Sequence, residues 1–360
     1  MRGIVAIALL APLVALASGC ATEPTYEYRA REMGSVMEFR PAEGERQGSG
    51  GMFRIGGRLL LDRKARAPKA KLPEVAPDLG AFLAKDGKSR FIWFGHSTLL
   101  LNVEGRVILV DPVFSKAAAP LGLFNRRFQP PVLPLKKLPR VDAILVSHDH
   151  YDHLDEKTIR FFRRGATEFI VPLGIGDRLR SWGIPSSRIF ELDWEQSAER
   201  GGIAYTATPA RHSSGRGLKD RYSTLWASWV IKGSRTSLYF TGDSSYGAHF
   251  AEIGKSRGPF DLAFIENGQY NERWPWAHMF PEQTVQAAID LGARIFVPVH
   301  WGMFSISFHG WSEPIRSSSA IARERGVPIE APRLGEVVEI GKERGLDPWW
   351  EGIEGPGGAP

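Results

Sequence analysis

Short apolar runs, many of them rich in β-branched residues, recur along the chain from about residue 91 onward. Continuous apolar runs without polar alternation are typical of strands that are buried on both faces. Most of these runs stop at an ionisable residue or at a loop that contains one. They are Arg106–Val110, Val141–Val146, Ala204–Thr208, Ser237–Phe240, Leu262–Ile265 and Arg294–Val299. The pattern predicts buried sheet whose strand ends carry reactive groups.

Segments with helical spacing lie between some of these strands. The clearest is Phe280–Leu291, where Pro281 and Glu282 are typical of a helix start and Gly292 of a helix end. Weaker helical patterns cover Ile175–Trp182, Phe250–Lys255 and Pro314–Glu324. Strands that alternate with helices predict a layered α/β fold. In such folds, ligands bind in the loops beyond the carboxyl ends of the strands.

Composition and charge indicate a globular protein without a nucleic-acid partner. The chain has 360 residues, of which 43% are hydrophobic and 24% charged, as in an ordinary globular protein. Its formal net charge is +6, but residues 1–90 hold 15 Lys/Arg against 10 Asp/Glu. The remaining residues 91–360 are therefore nearly neutral. We expect no nucleic-acid partner, because such a partner normally needs a basic face.

The N-terminal segment has the features of an export signal. Arg2 precedes an uncharged Ala/Leu-rich run that is short for a spanning helix and is interrupted by Pro12. The run ends at Ala17-Ser18-Gly19-Cys20, which resembles the bacterial lipobox, and Cys20 is the only cysteine in the chain. This resemblance implies a lipid-anchored protein of the cell envelope, on the outer membrane or periplasmic face of a Gram-negative cell. The alternative is an ordinary signal peptide with a chance cysteine.

Candidate metal ligands are densest in the loop after the second predicted strand. His148, His150 and His153 lie there within six residues, together with Asp149 and Asp152. Neutral imidazole and carboxylate are common ligands of divalent ions. In extended backbone, residues two apart share a face, so the first two histidines can reach one ion. The alternative is a solvated polar turn.

Later strand ends supply His212, Asp243 and His300. Each alone would be a weak candidate, because a single histidine is more often structural. With the first group they fill two coordination shells and leave one carboxylate to bridge. Two ions about 3.5–4 Å apart activate water near neutral pH and stabilise the attacked group.

This order of ligands resembles the metallo-β-lactamase superfamily over about Phe91 to Ile340. The resemblance implies a four-layer αββα sandwich, an α/β fold, with two zinc ions or, alternatively, iron or manganese. It assigns one ion to His148, His150 and His212, the other to Asp152, His153 and His300, and the bridge to Asp243. It further implies catalytic roles for Asp152 and His278.

Other motifs are similar to the N-acyl-phosphatidylethanolamine-hydrolysing phospholipase D group. They are Trp93–Thr98, Asp111–Phe114, Ser147–Asp155, Gly258–Ala263, Arg273-Trp274, His278 with Pro281-Glu282, and His300-Trp301-Gly302. The resemblance implies a phosphodiesterase that acts on N-acyl phospholipid or a related lipid phosphodiester. Glu266–Tyr270 stands where the animal enzymes are more apolar, and the loop Ser213–Tyr222 also differs, so the lipid headgroup stays open. A lactonase or other acyl hydrolase, and a non-catalytic envelope binding protein, are the alternatives.

The resemblance divides the chain into four segments. Residues 1–19 are the predicted signal peptide, and residues 20–90 the anchor and an N-terminal extension. Residues 91–340 are the predicted hydrolase domain and residues 341–360 a C-terminal tail. The basic run Arg58–Lys71 is either a solvated linker or a segment that lies against anionic lipid.

Several further residues have expected roles. We expect His278 to donate a hydrogen bond to the attacked phosphoryl oxygen or to protonate the leaving group; the alternative is a solvent-facing residue. His96 and Asp111 should support ligands rather than bind metal. His249 and His309 should be ordinary surface or loop residues.

Aromatic side chains near the last site segments suit either an apolar lip for an acyl chain or core packing. They are Trp274, Trp276, Trp301, Phe304, Phe308 and Trp311. The pair Trp349-Trp350 suits either a lipid interface or a packed tail.

Overall fold

Thirteen strands and six α-helices lie in the part of the chain that the structure, a computed structural model, describes: residues 66–119, 124–217 and 220–353. The strands are β1 Arg90–Trp93, β2 Leu99–Val103, β3 Arg106–Val110, β4 Ala143–Leu145, β5 Glu168–Pro172, β6 Ile189–Leu192, β7 Ser197–Arg200, β8 Ile203–Thr208, β9 Ser228–Lys232, β10 Ser237–Phe240, β11 Leu262–Glu266, β12 Phe296–Val299 and β13 Val337–Glu339. The helices are α1 Leu79–Phe82, α2 Glu156–Phe161, α3 Ile175–Ser181, α4 His249–Arg257, α5 Pro281–Asp290 and α6 Glu313–Arg325.

The strands form two mixed sheets. The first has the order β13-β1-β2-β3-β4-β5-β6 and the second the order β12-β11-β10-β9-β8-β7. Strands β3 to β6 run parallel to one another, as do β10 to β12. Strand β9 is antiparallel to both β8 and β10, so those two point the same way. The carboxyl ends of β8, β10, β11 and β12 therefore lie at one edge of the second sheet.

Alternating side chains divide the apolar strands between inner and outer layers. In β3, Ile108 and Val110 enter the core between the sheets, whereas Val107 and Leu109 face the layer that holds α2 and α3. In β11, Phe264 packs in the inner core and Ile265 packs against the layer of α4, α5 and α6. This alternation explains the continuous apolar runs, because both faces of each sheet are covered. The predicted four-layer αββα sandwich is confirmed.

The four predicted helices, α3 to α6, begin and end close to the predicted positions, whereas α1 and α2 were not predicted. In α5, Pro281 occupies the first turn, and the Gln283 side chain accepts a hydrogen bond from the Phe280 backbone N–H at 2.9 Å. Gly292 follows with a positive φ of 64°, a backbone conformation that glycine adopts without steric cost. In α6, which spans 13 residues, Gly326 has the same role, with φ 65°.

The segments outside the predicted hydrolase domain stay predictions. The export signal, Cys20 and most of the basic run lie outside the described residues. Near the other end, Trp349 and Trp350 are buried and stack around Trp301, so of the two alternatives for this pair the packed tail is correct. None of the helices in the described ranges combines the length and apolarity needed to span a membrane.

Candidate metal centre

The edge of the sandwich where the parallel strands end gathers the seven predicted ligands. The loop after β4 carries four of them from the first sheet. The loops after β8, β10 and β12 deliver His212, Asp243 and His300 from the second sheet. Five of the seven side chains are buried, whereas His150 and Asp152 are partly exposed, so the centre opens to solvent on the side of these two residues.

Cluster 1 consists of His148, His150, His212 and Asp243, whose ligand atoms all lie within 4.8 Å of one another. The Nδ1 atom of His150 lies 2.9 Å from Nε2 of His148 and 3.2 Å from Nε2 of His212. The Oδ2 atom of Asp243 lies 3.7 Å from Nε2 of His148 and 3.6 Å from Nε2 of His212. Three imidazole nitrogens and one carboxylate oxygen therefore face a common point.

Cluster 2 consists of Asp152, His153, His300 and the same Asp243. The Nε2 atoms of His153 and His300 each lie 3.4 Å from Oδ2 of Asp152 and 3.2 Å from Oδ2 of Asp243. One oxygen of Asp243 thus faces both clusters. This is the position that a bridging carboxylate requires.

Hydrogen bonds on the outer side of the rings determine which nitrogens carry protons. The Ser147 hydroxyl donates to Asp111 at 2.5 Å, so toward His148 Nδ1, at 2.9 Å, it acts as an acceptor. The Nδ1 atom of His153 donates to Asp111 at 2.7 Å, and that of His212 donates to the Ala277 carbonyl at 3.0 Å. In neutral His148 and His212 the Nε2 atoms therefore present lone pairs toward the Asp243 carboxylate, and Nε2 of His153 does so once its ring loses a proton.

Lone pairs that converge on a carboxylate repel one another unless a cation lies between them. The separations of 2.9–3.7 Å between ligand atoms are close to the ~3.3 Å edge of a tetrahedron with bonds of about 2.0–2.1 Å. Among the described residues, His153 Nε2 and Asp243 Oδ1 are buried without a hydrogen-bond partner. These residues therefore fit divalent metal ions.

The two clusters differ in their electrostatics. Burial lowers the pKa of His148 and of His212 well below the usual value, which favours the neutral, metal-binding ring. Burial also opposes charge on His153, but Asp243 and Asp152 outweigh it and raise the pKa of that histidine. Burial disfavours the charged form of Asp243 too, yet His153 and His300 hold its pKa well below the usual range. Cluster 2, which holds two carboxylates against one in cluster 1, therefore favours positive charge on its histidines more strongly than cluster 1 does.

Backbone geometry at the centre depends on unusual conformations. A Cβ at Gly242, where φ is 58°, would lie 2.6 Å from Cβ of Ser147, so only glycine lets the Asp243 loop approach the histidine loop. Positive φ values also occur at His96, Asp111 and His300, which are not glycine. Such strain is often concentrated at functional sites.

Asp111 lies where a supporting residue was expected, whereas the ligand atom of His96 also lies within 4.8 Å of those of Asp152, His153 and His300. The Asp111 carboxylate accepts from the Ser147 backbone N–H at 2.7 Å and from His153. The His96 Nε2 atom lies 2.9 Å from Oδ2 of Asp152. Both residues are fully buried and orient ligand side chains from the first sheet.

Sequence reasoning missed Glu266 as a member of the site. Its carboxylate forms a short hydrogen bond with Nδ1 of His278 and lies 3.5 Å from Nδ1 of His300. Burial, with a smaller contribution from the charge of Asp243, raises the pKa of Glu266 to about 8. The signal was present, because Glu266 follows an apolar strand in the same way as the ligands. The solvent-facing alternative for His278 is wrong, since this residue is 7% exposed.

Two further predictions have different outcomes. The expectation that His249 is a surface or loop residue is wrong. It begins α4, is 1% exposed, packs on Phe250 and pairs with Ser244 at 3.1 Å. His309 does lie in a loop, where its Nε2 atom accepts a hydrogen bond from the Gln269 backbone N–H at 2.7 Å.

The aromatic residues separate into two groups. Trp301, Phe304 and Trp311 are buried in the inner core, so core packing is correct for them. Trp276 is 40% exposed, and the Arg211 guanidinium lies over its ring at 5.4 Å. Trp276 is thus the member of the aromatic set that is placed to form an outer lip.

Comparison with known proteins agrees with this geometry. A family model for the beta-lactamase superfamily domain matches residues 106–301. An uncharacterised protein of Mycobacterium tuberculosis is 42% identical over 297 residues, which cover 81% of this chain and 79% of that protein. N-acyl-phosphatidylethanolamine-hydrolyzing phospholipase D 1 of Caenorhabditis elegans is 36% identical over 225 residues, 59% of this chain and 63% of the phospholipase.

A solved structure shares the fold. Igni18, a metallo hydrolase from the archaeon Ignicoccus hospitalis, superposes with a TM-score of 0.52 at 21% identity, covering 70% of this chain and 98% of that protein. The chain therefore belongs to the metallo-β-lactamase superfamily, with relatives among the N-acyl-phosphatidylethanolamine-hydrolysing phospholipases D, and is a metal-dependent hydrolase.

Proposed function

We propose that the protein is a dinuclear zinc phosphodiesterase of phospholipase D type that acts on N-acyl phospholipid or a related lipid phosphodiester. The observation that carries the proposal is the pair of clusters that share Oδ2 of Asp243. Zinc suits the mixed imidazole and carboxylate donors, although iron and manganese also bind such sets. When bound, two such ions activate water at neutral pH and stabilise the charge that develops on the attacked phosphoryl group.

The residues of the chain have distinct parts in this proposal. His148, His150 and His212 would hold the first ion, Asp152, His153 and His300 would hold the second, and Asp243 is shared by the two clusters. Asp152 faces the open side and accepts a hydrogen bond from His96, so it is placed to orient water beside the substrate. The substrate phosphate would approach from this side, since the other ligands are buried.

His278 lies beside both clusters and supplies proton chemistry. Its Nδ1 atom lies 4.0 Å from Oδ2 of Asp243, and its ring stacks on His300 with centroids 5.0 Å apart. From this position it can hydrogen-bond a phosphoryl oxygen or give its Nε2 proton to the oxygen that leaves when the P–O bond breaks. Water forms the new P–O bond of the phosphomonoester as the bond to the leaving oxygen breaks, and the alcohol departs with the proton.

Two residues at the rim of the metal centre favour a lipid phosphodiester as the substrate. Arg211 precedes His212 and stacks on the exposed Trp276, which lies two residues before His278. A cation on an aromatic face at the mouth of the site suits a phosphate with an attached acyl group. The nematode relative is named for hydrolysis of N-acyl-phosphatidylethanolamine, which supports the same substrate class.

A substrate panel tests the proposal directly. Purified protein should contain close to two metal ions per chain and should hydrolyse bis(4-nitrophenyl) phosphate and an N-acyl phospholipid faster than a lactone or a β-lactam. Turnover of only the lactone or the β-lactam would reject phosphodiester chemistry and favour the acyl-hydrolase alternative. The Asp243→Ala variant is the background control for every substrate.

We also propose that the protein is exported and anchored to the envelope through a lipid on Cys20. The support is the lipobox-like run that ends at the only cysteine. Cells that express the full chain should incorporate labelled palmitate into it, and Cys20→Ser should abolish the label. Label retained in Cys20→Ser would reject the anchor.

A further inference from the structure

Glu266 is a buried carboxylate that neither metal cluster uses. It ends β11, the strand between β10, which leads to Asp243, and β12, which leads to His300. Its side chain is fully buried, and Oε2 accepts a hydrogen bond from the Ser244 backbone N–H at 2.6 Å. Its Oε1 forms a short hydrogen bond with Nδ1 of His278. Glu266 therefore connects the loop of the bridging aspartate to the proposed proton donor.

A third metal ion does not explain this arrangement as well as hydrogen bonding does. The ligand atoms of Asp243, Glu266, His278 and His300 also lie within 4.8 Å of one another. However, each Glu266 oxygen already takes part in a hydrogen bond, one with an imidazole and one with the backbone. His300 turns Nε2 toward Asp152 and Asp243, and only its Nδ1 faces Glu266. Matched donors and acceptors indicate a structural role toward the two histidines.

We propose that Glu266 is a positioning residue that holds His278 in its reactive orientation and steadies the ring of His300. By accepting from Nδ1, the carboxylate directs Nε2 of His278 to the substrate and fixes the rotation of the ring. Because Glu266 is itself held by Ser244, the orientation does not depend on the substrate. This inference rests on the proposed function, in which His278 assists departure of the alcohol.

The test compares four variants of the metal-loaded, full-length protein: Glu266→Gln, Glu266→Leu, His278→Ala and the double variant Glu266→Leu/His278→Ala. Exposed Glu252 on α4 offers a matched control, Glu252→Gln. For each variant, kcat, KM and metal content are measured on a 4-nitrophenyl phosphodiester and on an alkyl phosphodiester. The alkyl leaving group needs a proton and the nitrophenyl leaving group does not.

We expect Glu266→Leu to lower kcat on the alkyl ester by about 10–100-fold, as loss of such outer partners typically does, with little change in KM or metal content. Loss on the nitrophenyl ester should be smaller. Glu266→Gln should keep part of the activity, because its amide oxygen can still accept from Nδ1. The double variant should be no slower than His278→Ala, since the two residues act as one unit.

Three results would overturn the proposal. They are an unchanged kcat in Glu266→Leu, a double variant that loses the product of the two single effects, and an activity loss that added metal restores. If Glu266→Leu does not fold, Glu266→Gln with and without His278→Ala tests the same coupling. If the wild type hydrolyses only a lactone, the phosphodiester function fails, but the coupling can still be measured on that substrate.

Discussion

The two ends of the sandwich both concentrate charged groups, yet they satisfy them in opposite ways. At the end opposite the metal centre, Glu104 in the β2–β3 turn caps the β9–β10 turn of the other sheet. Its carboxylate accepts hydrogen bonds from the backbone N–H groups of Ser234, Arg235 and Thr236, at 2.7–3.1 Å. These hydrogen bonds outweigh the effect of burial and lower its pKa to about 2.

At the metal end, by contrast, acceptors face acceptors. The proton-free Nε2 atoms of His148 and His212 point toward the carboxylate of Asp243, and the hydrogen bonds of these two rings lie on their outer side. The far end is therefore complete with protein groups alone, whereas the site end needs cations. The difference shows that a high density of charged groups does not by itself indicate a functional site. Buried acceptors that lack matching donors are the better indication.

The largest effect should come from removing the carboxylate that both clusters share. Asp243→Ala should abolish turnover, with a loss beyond the ~100-fold typical of an outer partner, and should lower metal content at both clusters. Elemental analysis and kcat measure this, with Asp177→Asn on the exposed face of α3 as control. Retention of two ions and normal turnover would show that Asp243 does not bridge.

Metal removal should destabilise the protein, because the metal end has groups that only cations satisfy. Chelation should lower the midpoint of thermal unfolding. An ion that binds only the native state, at a free concentration of 100 times its Kd, adds about 2.7 kcal/mol to the free energy of unfolding. Calorimetry with and without chelator, followed by zinc addition, measures the change. An unchanged midpoint in protein shown to be metal-free would contradict the view that the site end is unsatisfied without cations.

An intermediate effect should distinguish the two clusters. Asp111 accepts from His153 of cluster 2 and from Ser147, which in turn contacts His148 of cluster 1. Because the contact with cluster 2 is direct, Asp111→Asn should lower the metal affinity of cluster 2 by about 10–100-fold. The metal affinity of cluster 1 should fall less. Metal titration should resolve two affinities, and equal weakening of both would argue that the clusters are not separable.

The smallest effect should come from the far end. Glu104→Gln should cost at most about 1 kcal/mol near pH 7, since the turn is largely exposed to solvent. The pKa of Glu104 is lowered on folding, so its contribution is full above the unfolded value of 4.5 and is lost as pH falls toward 2. Denaturant titration across this range measures the difference, with kcat as control. A loss of activity would mean that the two ends are coupled.

Local patterns of apolar and polar residues are enough to predict several strands and helices and the polar residues that follow the strands. Apolar runs identified β3, β10 and β11 because both faces of these strands are buried, which leaves polar side chains at the ends. The spacing of His148 and His150 showed that they share a face, since local backbone geometry depends on neighbouring residues alone. The strand end at Glu266 was visible too, but nothing in its spacing indicated a partner.

Which strand ends meet, and which ligand atoms face a common point, depends on packing between segments that are distant in the sequence. His148 and Asp243 come from different sheets, and their distance depends on how the two inner faces pack and on the absence of a side chain at Gly242. Burial of His249 depends in the same way on contacts that no local pattern records. The proton positions follow from acceptors such as the Ala277 carbonyl, 65 residues from His212. Hydrogen-bond partners distant in sequence, rather than residue type, decide which nitrogen of His153 and of His212 faces the candidate metal position.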